Sequence, residues 1–158
     1  MKTWHKVTGA TAISIAAGLA FHFEGERLKT YRDVGGQPTI CEGETQGVFM
    51  GMTRTHAQCI AWLNRDMQSR LDFVDHALAR PQPDERRAAL ADFAYNEGNN
   101  ALLHSLALRD INAGKIVQGC NALMNWDVAA GRHLAGLHAR RLAERELCLE
   151  GITQETSP

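Results

Sequence analysis

Glu24, Asp33 and Thr39 are the residues of this chain whose types and spacing point to joint chemistry. Eight residues separate Glu24 from Asp33, and five separate Asp33 from Thr39. Glu24 follows Phe21 and Phe23 at the expected end of a helix. An apolar surround raises the pKa of a carboxyl group and keeps it protonated near neutral pH. That is the state a general acid needs. Asp33 falls in a glycine-rich turn, where water keeps a carboxylate ionised. Two carboxyl groups in contrasting surroundings are what glycoside hydrolysis requires. The Thr39 hydroxyl, on the next strand, is placed to help Asp33 hold an attacking water. The same residues also have an ordinary reading: acids beside glycine form turns, and threonine is at home in strands.

The elements that must position this trio follow from local signals. Residues 10–23 read as a first helix that ends near Glu24-Gly25. Residues 28–50 are rich in glycine and contain Pro38, which marks a small, turn-rich β region. Thr55 with Gln58 three residues on is a capping-box pattern. Ile60, Leu63, Met67, Leu71, Val74 and Leu78 recur at helical spacing. Arg80-Pro81-Gln82-Pro83 breaks that helix, and Asp84 is placed to cap the next. Leu90, Phe93 and Ala94 are its apolar positions, and Gly98-Asn99-Asn100 ends it. Further helices are expected at about 101–112, 115–127 and 134–149. Asn112-Ala113-Gly114 and Ala130-Gly131 punctuate them. The fold class is α+β: a small β lobe, a mainly helical lobe, and a cleft between them suited to an extended polymer.

The chain has 158 residues, 44% hydrophobic and 22% charged, with a formal net charge of −1. This is an ordinary globular composition that can bury a real core, and it excludes a disordered or fibrous chain. The balance gives no basic face for nucleic acid. Arg132, Arg140, Arg141 and Arg145 cluster, interrupted by Glu144 and Glu146. They read as a solvated, salt-bridged helix face. Cys41, Cys59, Cys120 and Cys148 show no CxxC spacing, which argues against a zinc or thioredoxin motif. Four cysteines allow three pairings, and an exported protein would oxidise them.

Lys2 and Lys6 precede an uncharged run from Val7 to Phe23. A basic start and a short, weakly apolar stretch resemble a secretory signal. The run is short for a stable transmembrane helix, which needs about 20 apolar residues. Gly18-Leu19-Ala20 offers a cleavage site. Cleavage there would leave only Phe21, His22 and Phe23 before Glu24. An uncleaved segment that binds the membrane and later leaves it is the other option, and an internal core helix is the plain one.

The Glu–Asp–Thr spacing resembles that of the phage-type lysozymes, glycoside hydrolase family 24. Phe23-Glu24-Gly25, Leu28-Lys29, Tyr31 and Pro38-Thr39-Ile40-Cys41 agree with it. So do Phe93-Ala94-Tyr95-Asn96-Glu97-Gly98 and Leu108 to Gly114. The C-terminal signature of Trp126, Gly131, Gly136-Leu137 and Arg140-Arg141-Leu142-Ala143-Glu144-Arg145 also matches, so the likeness spans roughly residues 15–150. It implies a lysozyme-like fold and a muramidase that cuts between N-acetylmuramic acid and N-acetylglucosamine in peptidoglycan, leading to host lysis. Catalytic Glu24, Asp33 and Thr39 are implied, with no cofactor or metal. Carboxyl groups about 6.5–9.5 Å apart would indicate inversion.

Within the family the chain is similar to endolysins with an N-terminal signal-arrest-release (SAR) segment, which carry cysteines near these positions. That implies residues 1–23 as an export segment merging into the first helix, and 24–158 as the catalytic domain. It further implies a monomer exported to the periplasm, first tethered to the inner membrane through residues 7–23. The two local disulfides, Cys41–Cys59 and Cys120–Cys148, are expected because each joins neighbouring elements. The chain departs from the family pattern at Cys41-Glu42-Gly43-Glu44, where Glu44 replaces the usual histidine. Glu42 and Glu44 put two more carboxylates near the cleft. They leave room for a non-catalytic peptidoglycan-binding module. A lytic transglycosylase, which needs only one glutamate, is the other alternative.

Overall fold

The computed structural model describes residues 11–33, 35–129 and 131–155, the last three by backbone alone. Helix α1 runs from Ala12 to Glu24. Ala12, Ile15, Ala16, Ala17, Leu19 and Ala20 are buried. The four alanines among them let α1 lie close against helices α2 (His56–Ala77) and α3 (Asp84–Glu97). Gly25 ends α1 with φ +70°, and its N–H bonds the Phe21 carbonyl at 3.1 Å. The expected division between residues 23 and 24 falls one residue before the end of this helix. Residues 7–10, together with Lys2 and Lys6, lie outside the described residues. Among those described, no helix is long and apolar enough to cross a membrane.

The glycine-rich stretch forms one small antiparallel pair, β1 (Arg27–Arg32) with β2 (Pro38–Cys41). Tyr31 stands opposite Thr39, and Arg32 opposite Pro38. Isolated bridges Lys29 to Thr53 and Ile40 to Glu44 fold the following loop back onto the pair. Beneath it, Ile40, Cys41, Met52 and Cys59 form a separate small core with Val48 and Trp62 at its edge.

Helix α2 opens with the full capping box. The Gln58 N–H donates to Thr55 Oγ1 at 3.2 Å, and the Thr55 N–H donates to Gln58 Oε1 at 2.9 Å. Helix α3 begins one residue after Pro83, so Asp84 is its first turn rather than its cap. It carries no apolar stripe because residues Ala88 to Ala94 are buried on every side. A helix buried all round sits at the centre of its lobe, and α1, α2 and the C-terminal helix all pack against α3.

The single helix expected over 101–112 is instead two, α4 (Asn99–Leu103) and α5 (Leu106–Asn112). Ser105 divides them. Its hydroxyl accepts from the Leu108 N–H at 3.1 Å and donates to the Leu102 carbonyl at 2.8 Å, capping one helix and closing the other. Helix α6 (Ile116–Ala122) then tightens into a 3-10 turn at Leu123–Trp126. Helices α5 and α6 touch at Gly119, where an added Cβ would stand 2.6 Å from Ile111 Cγ1 and 2.8 Å from the Ala107 oxygen. A short hairpin, β3 (Val128–Ala129) with β4 (Arg132–His133), leads into α7 (Ala135–Glu155). Asp127 clasps that hairpin to α7: His133 Nδ1 lies 2.7 Å from one of its oxygens and His138 Nδ1 2.9 Å from the other.

Both local disulfides are present. Cys41–Cys59 ties β2 to α2 across a Cα separation of 5.2 Å, and Cys120–Cys148 ties α6 to α7 across 5.7 Å.

Candidate active site

Glu24 is the last residue of α1, and its side chain is 30% exposed. Its immediate partner is a cation rather than the apolar wall expected from Phe21 and Phe23. Arg140 of α7 donates from Nη1 to Glu24 Oε1. The rest of that guanidinium faces Asp92 of α3, with Nε to Oδ2 at 2.9 Å and Nη2 to Oδ1 at 2.8 Å. Arg141 beside it bonds Glu144 at 2.6 Å, Asn96 at 2.9 Å and Glu97 at 3.1 Å.

Arg140, Arg141, Asp92 and Glu144 are all buried. The solvated arginine face expected from sequence is therefore corrected at these positions: Arg140, Arg141 and Glu144 form a buried ion network. Helix α7 packs along α3, so the side of α7 bearing these residues meets protein, not water. Burial works against the Arg140 charge, yet Asp92, Glu144 and Glu24 around it hold the guanidinium protonated above its ordinary range. Burial also pushes the Glu144 carboxyl well above the usual carboxylate range, against the pull of Arg141. Phe23 lies 5.9 Å from the Arg140 guanidinium carbon, so the aromatic neighbour of Glu24 packs on its partner.

Asp33 and Thr39 are brought together through Gln37. Asp33 Oδ1 accepts from the backbone N–H groups of Gly35 and Gln37, each at 2.8 Å. The Gln37 carbonyl accepts from the Asp33 N–H and from Thr39 Oγ1, both at 3.0 Å. Asp33 thus shapes the turn between β1 and β2 and is only partly buried, whereas Thr39 is buried.

A cavity of about 530 Å³ opens beside Glu24. Its walls include Glu42, Glu44, Asp66, Tyr95 and Asn96. Asp33 and Thr39 are not among the residues that line it. Glu44 accepts from the Gln46 N–H at 2.6 Å and shares the cavity wall with Asp66 of α2. Burial raises the Asp66 carboxyl, and the neighbouring Glu44 raises it further. Tyr95 donates its hydroxyl to the Glu42 carbonyl at 2.7 Å, joining the β lobe to α3. Burial pushes that phenol up, and the charges of Glu24 and Asp66 add to the shift.

Sequence reasoning missed Asp92, Asp66 and the service of Arg140 to Glu24. The available signal was Arg140-Arg141 with Glu144 one turn on, a spacing that allows an ion network along α7. Nothing local indicated that its other end lies on α1.

Comparison with known proteins follows the same lines. The phage lysozyme family matches residues 21–144. The SAR-endolysin of Bacteriophage PS119 is 39% identical over 129 residues, covering 81% of this chain and 77% of that protein. The SAR-endolysin of Enterobacteria phage P21 is 35% identical over 150 residues, covering 90% of this chain and 91% of that protein. The solved muramidase domain of SpmX from Asticaccaulis excentricus gives a TM-score of 0.80 at 28% identity, over 92% of this chain and 99% of that chain. The active form of P1 phage endolysin Lyz gives 0.78 at 27% identity, over 87% and 84%. Its secreted inactive form gives 0.53 at 26% identity, over 68% and 76%. The fold described here is therefore more like that active form than that inactive one. Matched along most of its length in sequence and in fold, the chain belongs to the phage lysozyme family.

Proposed function

We propose that Glu24, Asp33 and Thr39 carry the muramidase reaction of this lysozyme, cleaving the β-1,4 bond between N-acetylmuramic acid and N-acetylglucosamine. Glu24 protonates the bridging oxygen. Asp33, with Thr39, orients a water on the far face of the sugar and offsets the positive charge that develops at C1. The observation that carries the reading is the position of Glu24. It ends a buried helix, faces the cavity, and is held by Arg140. When Glu24 gives up its proton it becomes a carboxylate, and Arg140 is already in place to stabilise that charge. Asp33 has one oxygen committed to the turn, so Oδ2 is the oxygen assigned to the water.

The monomer is the proposed working unit, because one chain supplies all three residues. Residues 1–23 are proposed to direct export to the periplasm and to tether the chain through residues 7–23 before joining the core. Two observations support this. The relatives above are SAR-endolysins, and residues 12–20 of α1 are alanine, glycine, serine and a few aliphatics that suit both a weak membrane segment and a core.

The test is lysis of outer-membrane-permeabilised Gram-negative cells by the parent protein beside Glu24→Gln, with the products weighed. Clearing by the parent alone, with hydrated reducing ends, is the expected outcome. Full activity in Glu24→Gln removes Glu24 from the role, and products lighter by one water indicate a transglycosylase instead.

A further inference from the structure

Glu42 is buried, with 2% of its surface exposed, and neither carboxylate oxygen has a hydrogen-bond partner. Burying a carboxyl group without a partner is costly. Its nearest chemistry is a disulfide. A Glu42 carboxylate oxygen, Cys41 Sγ and Cys59 Sγ all lie within 4.8 Å of one another. Among the described residues, no carboxylate or imidazole joins Cys120 and Cys148 in this way. One chain therefore holds two buried disulfides, and one of them has a carboxyl group at its sulfurs.

We propose that Glu42 is the proton-transfer group for the Cys41–Cys59 thiol–disulfide couple. With both cysteines reduced, a small-molecule disulfide RSSR reacts with one thiol, giving a mixed disulfide and RSH. The Glu42 carboxylate takes the proton of the second thiol. The thiolate so formed attacks the protein sulfur of the mixed disulfide. The Cys41–Cys59 bond forms, the bond to the RS group breaks, and RS⁻ leaves to take a proton from water. Two protein sulfurs are oxidised, RSSR is reduced to two RSH, and Glu42 is left protonated. Thiolate supply limits such exchange, because the thiolate and not the thiol is the nucleophile.

The surroundings agree with a carboxyl that ends the step neutral. Burial raises the Glu42 carboxyl; its own backbone amide and His56 of α2 oppose the rise, and the Glu26 charge adds to it. His56 is itself bonded to Glu26 at 2.6 Å. From α3, Tyr95 reaches only the Glu42 carbonyl. Glu24, Glu44, Asp66 and, with opposite charge, Arg70 of α2 line the same cavity as Glu42. The role is independent of the glycosidic chemistry, but it bears on the same lobe. Cys41 lies two residues beyond Thr39, so the bond that Glu42 helps to close is the one that anchors β2 to α2.

To test this, the full-length protein is reduced and reoxidised with glutathione disulfide at about pH 6 and about pH 9, on either side of a normal thiol pKa. Each disulfide is then followed by mass mapping of quenched samples. Glu42→Gln is expected to slow Cys41–Cys59 formation about tenfold or more at the lower pH, with Cys120–Cys148 unchanged. The difference should close at the higher pH, where thiols ionise unaided. The parent supplies a second arm that needs no variant: lowering the pH should slow Cys41–Cys59 less than Cys120–Cys148. Equal rates in parent and variant at both pH values, or equal pH slopes for the two disulfides in the parent, overturn the assignment.

Discussion

Arg140, on the last helix, hydrogen-bonds Glu24 at the end of the first, across 116 residues of sequence. The same guanidinium is bidentate to buried Asp92 on the central helix. Three helices thus meet on one side chain, and Glu24 stands in register with the core. Asp92 and Arg140 compensate each other's burial, and Glu24 is the exposed end of the chain of charges.

Replacing Arg140 by methionine should therefore unfold more than it disarms. It strands Asp92 in the interior, while Glu144 keeps Arg141, a loss of about 3–5 kcal/mol for a broken buried pair. Urea unfolding would measure it. Arg140→Lys keeps the charge but not the planar fork. It should fold, bind substrate with a near-normal KM, and lose kcat. Full kcat in Arg140→Lys would mean that Glu24 does not depend on this contact.

Asp66 offers a pH-dependent test. Its carboxyl is raised in the folded protein by burial and by Glu44. The folded state thus holds its proton to higher pH than the unfolded state does. Between the two pKa values stability falls as pH rises. Asp66→Asn removes that loss. Relative to the parent, the variant should gain in Tm on going from about pH 4, near the ordinary carboxyl value, to about pH 7. A Tm difference that is constant across that range would show that the raised carboxyl carries no weight.

Asp127 behaves in the opposite sense. The His138 bond holds its carboxyl below the usual range; burial opposes this, and the His133 bond and the two imidazole charges add to the lowering. Its contribution to stability is present above the unfolded carboxyl value of about 3.9 and is lost as pH falls through the folded value. Asp127→Asn should destabilise the protein at about pH 5 and converge with the parent in stronger acid. Thermal unfolding at stepped pH checks this, and parallel curves would dismiss the clasp.

Gly119→Ala probes packing without charge. The added Cβ would meet Ile111 Cγ1 at 2.6 Å and two backbone atoms inside 3.0 Å, Ala107 O and Ile111 N. The side-chain contact can yield, but the backbone contacts require α5 and α6 to separate. Overpacking of this kind costs about 1–3 kcal/mol, read as a lower urea midpoint at unchanged slope. No change in midpoint would mean that the two helices part freely.

Much of this architecture was legible because its signals are local. The end of α1 at Gly25, the capping box at Thr55 and the stop at Gly98 each depend on residues within a few positions. The β region was legible from glycine and proline, though it holds only one pair of strands. The break at Ser105 was missed because a serine inside a helical pattern is ambiguous until its hydroxyl chooses a partner. Helix α3 was located by its ends and not by its apolar period, since a helix buried all round has none. The proposed trio Glu24, Asp33 and Thr39 was picked out by its spacing. The network behind Glu24 was not, because a charged residue reads as exposed until its partners, from distant parts of the chain, are known. Arg140 and Asp92 are 48 residues apart and share no pattern.

Glu24 inherits its position from the way α1 is seated. Alanines at 12, 16, 17 and 20 fill narrow gaps against the neighbouring helices and leave little to distinguish one seating from the next except Ile15 and Leu19. A slip of α1 by a single residue would carry Glu24 about 1.5 Å along the axis and turn it about 100°, away from Arg140. The two larger aliphatics therefore act as the teeth of a key. They admit one rotation of the helix, and that rotation turns Glu24 toward Arg140 and the cavity.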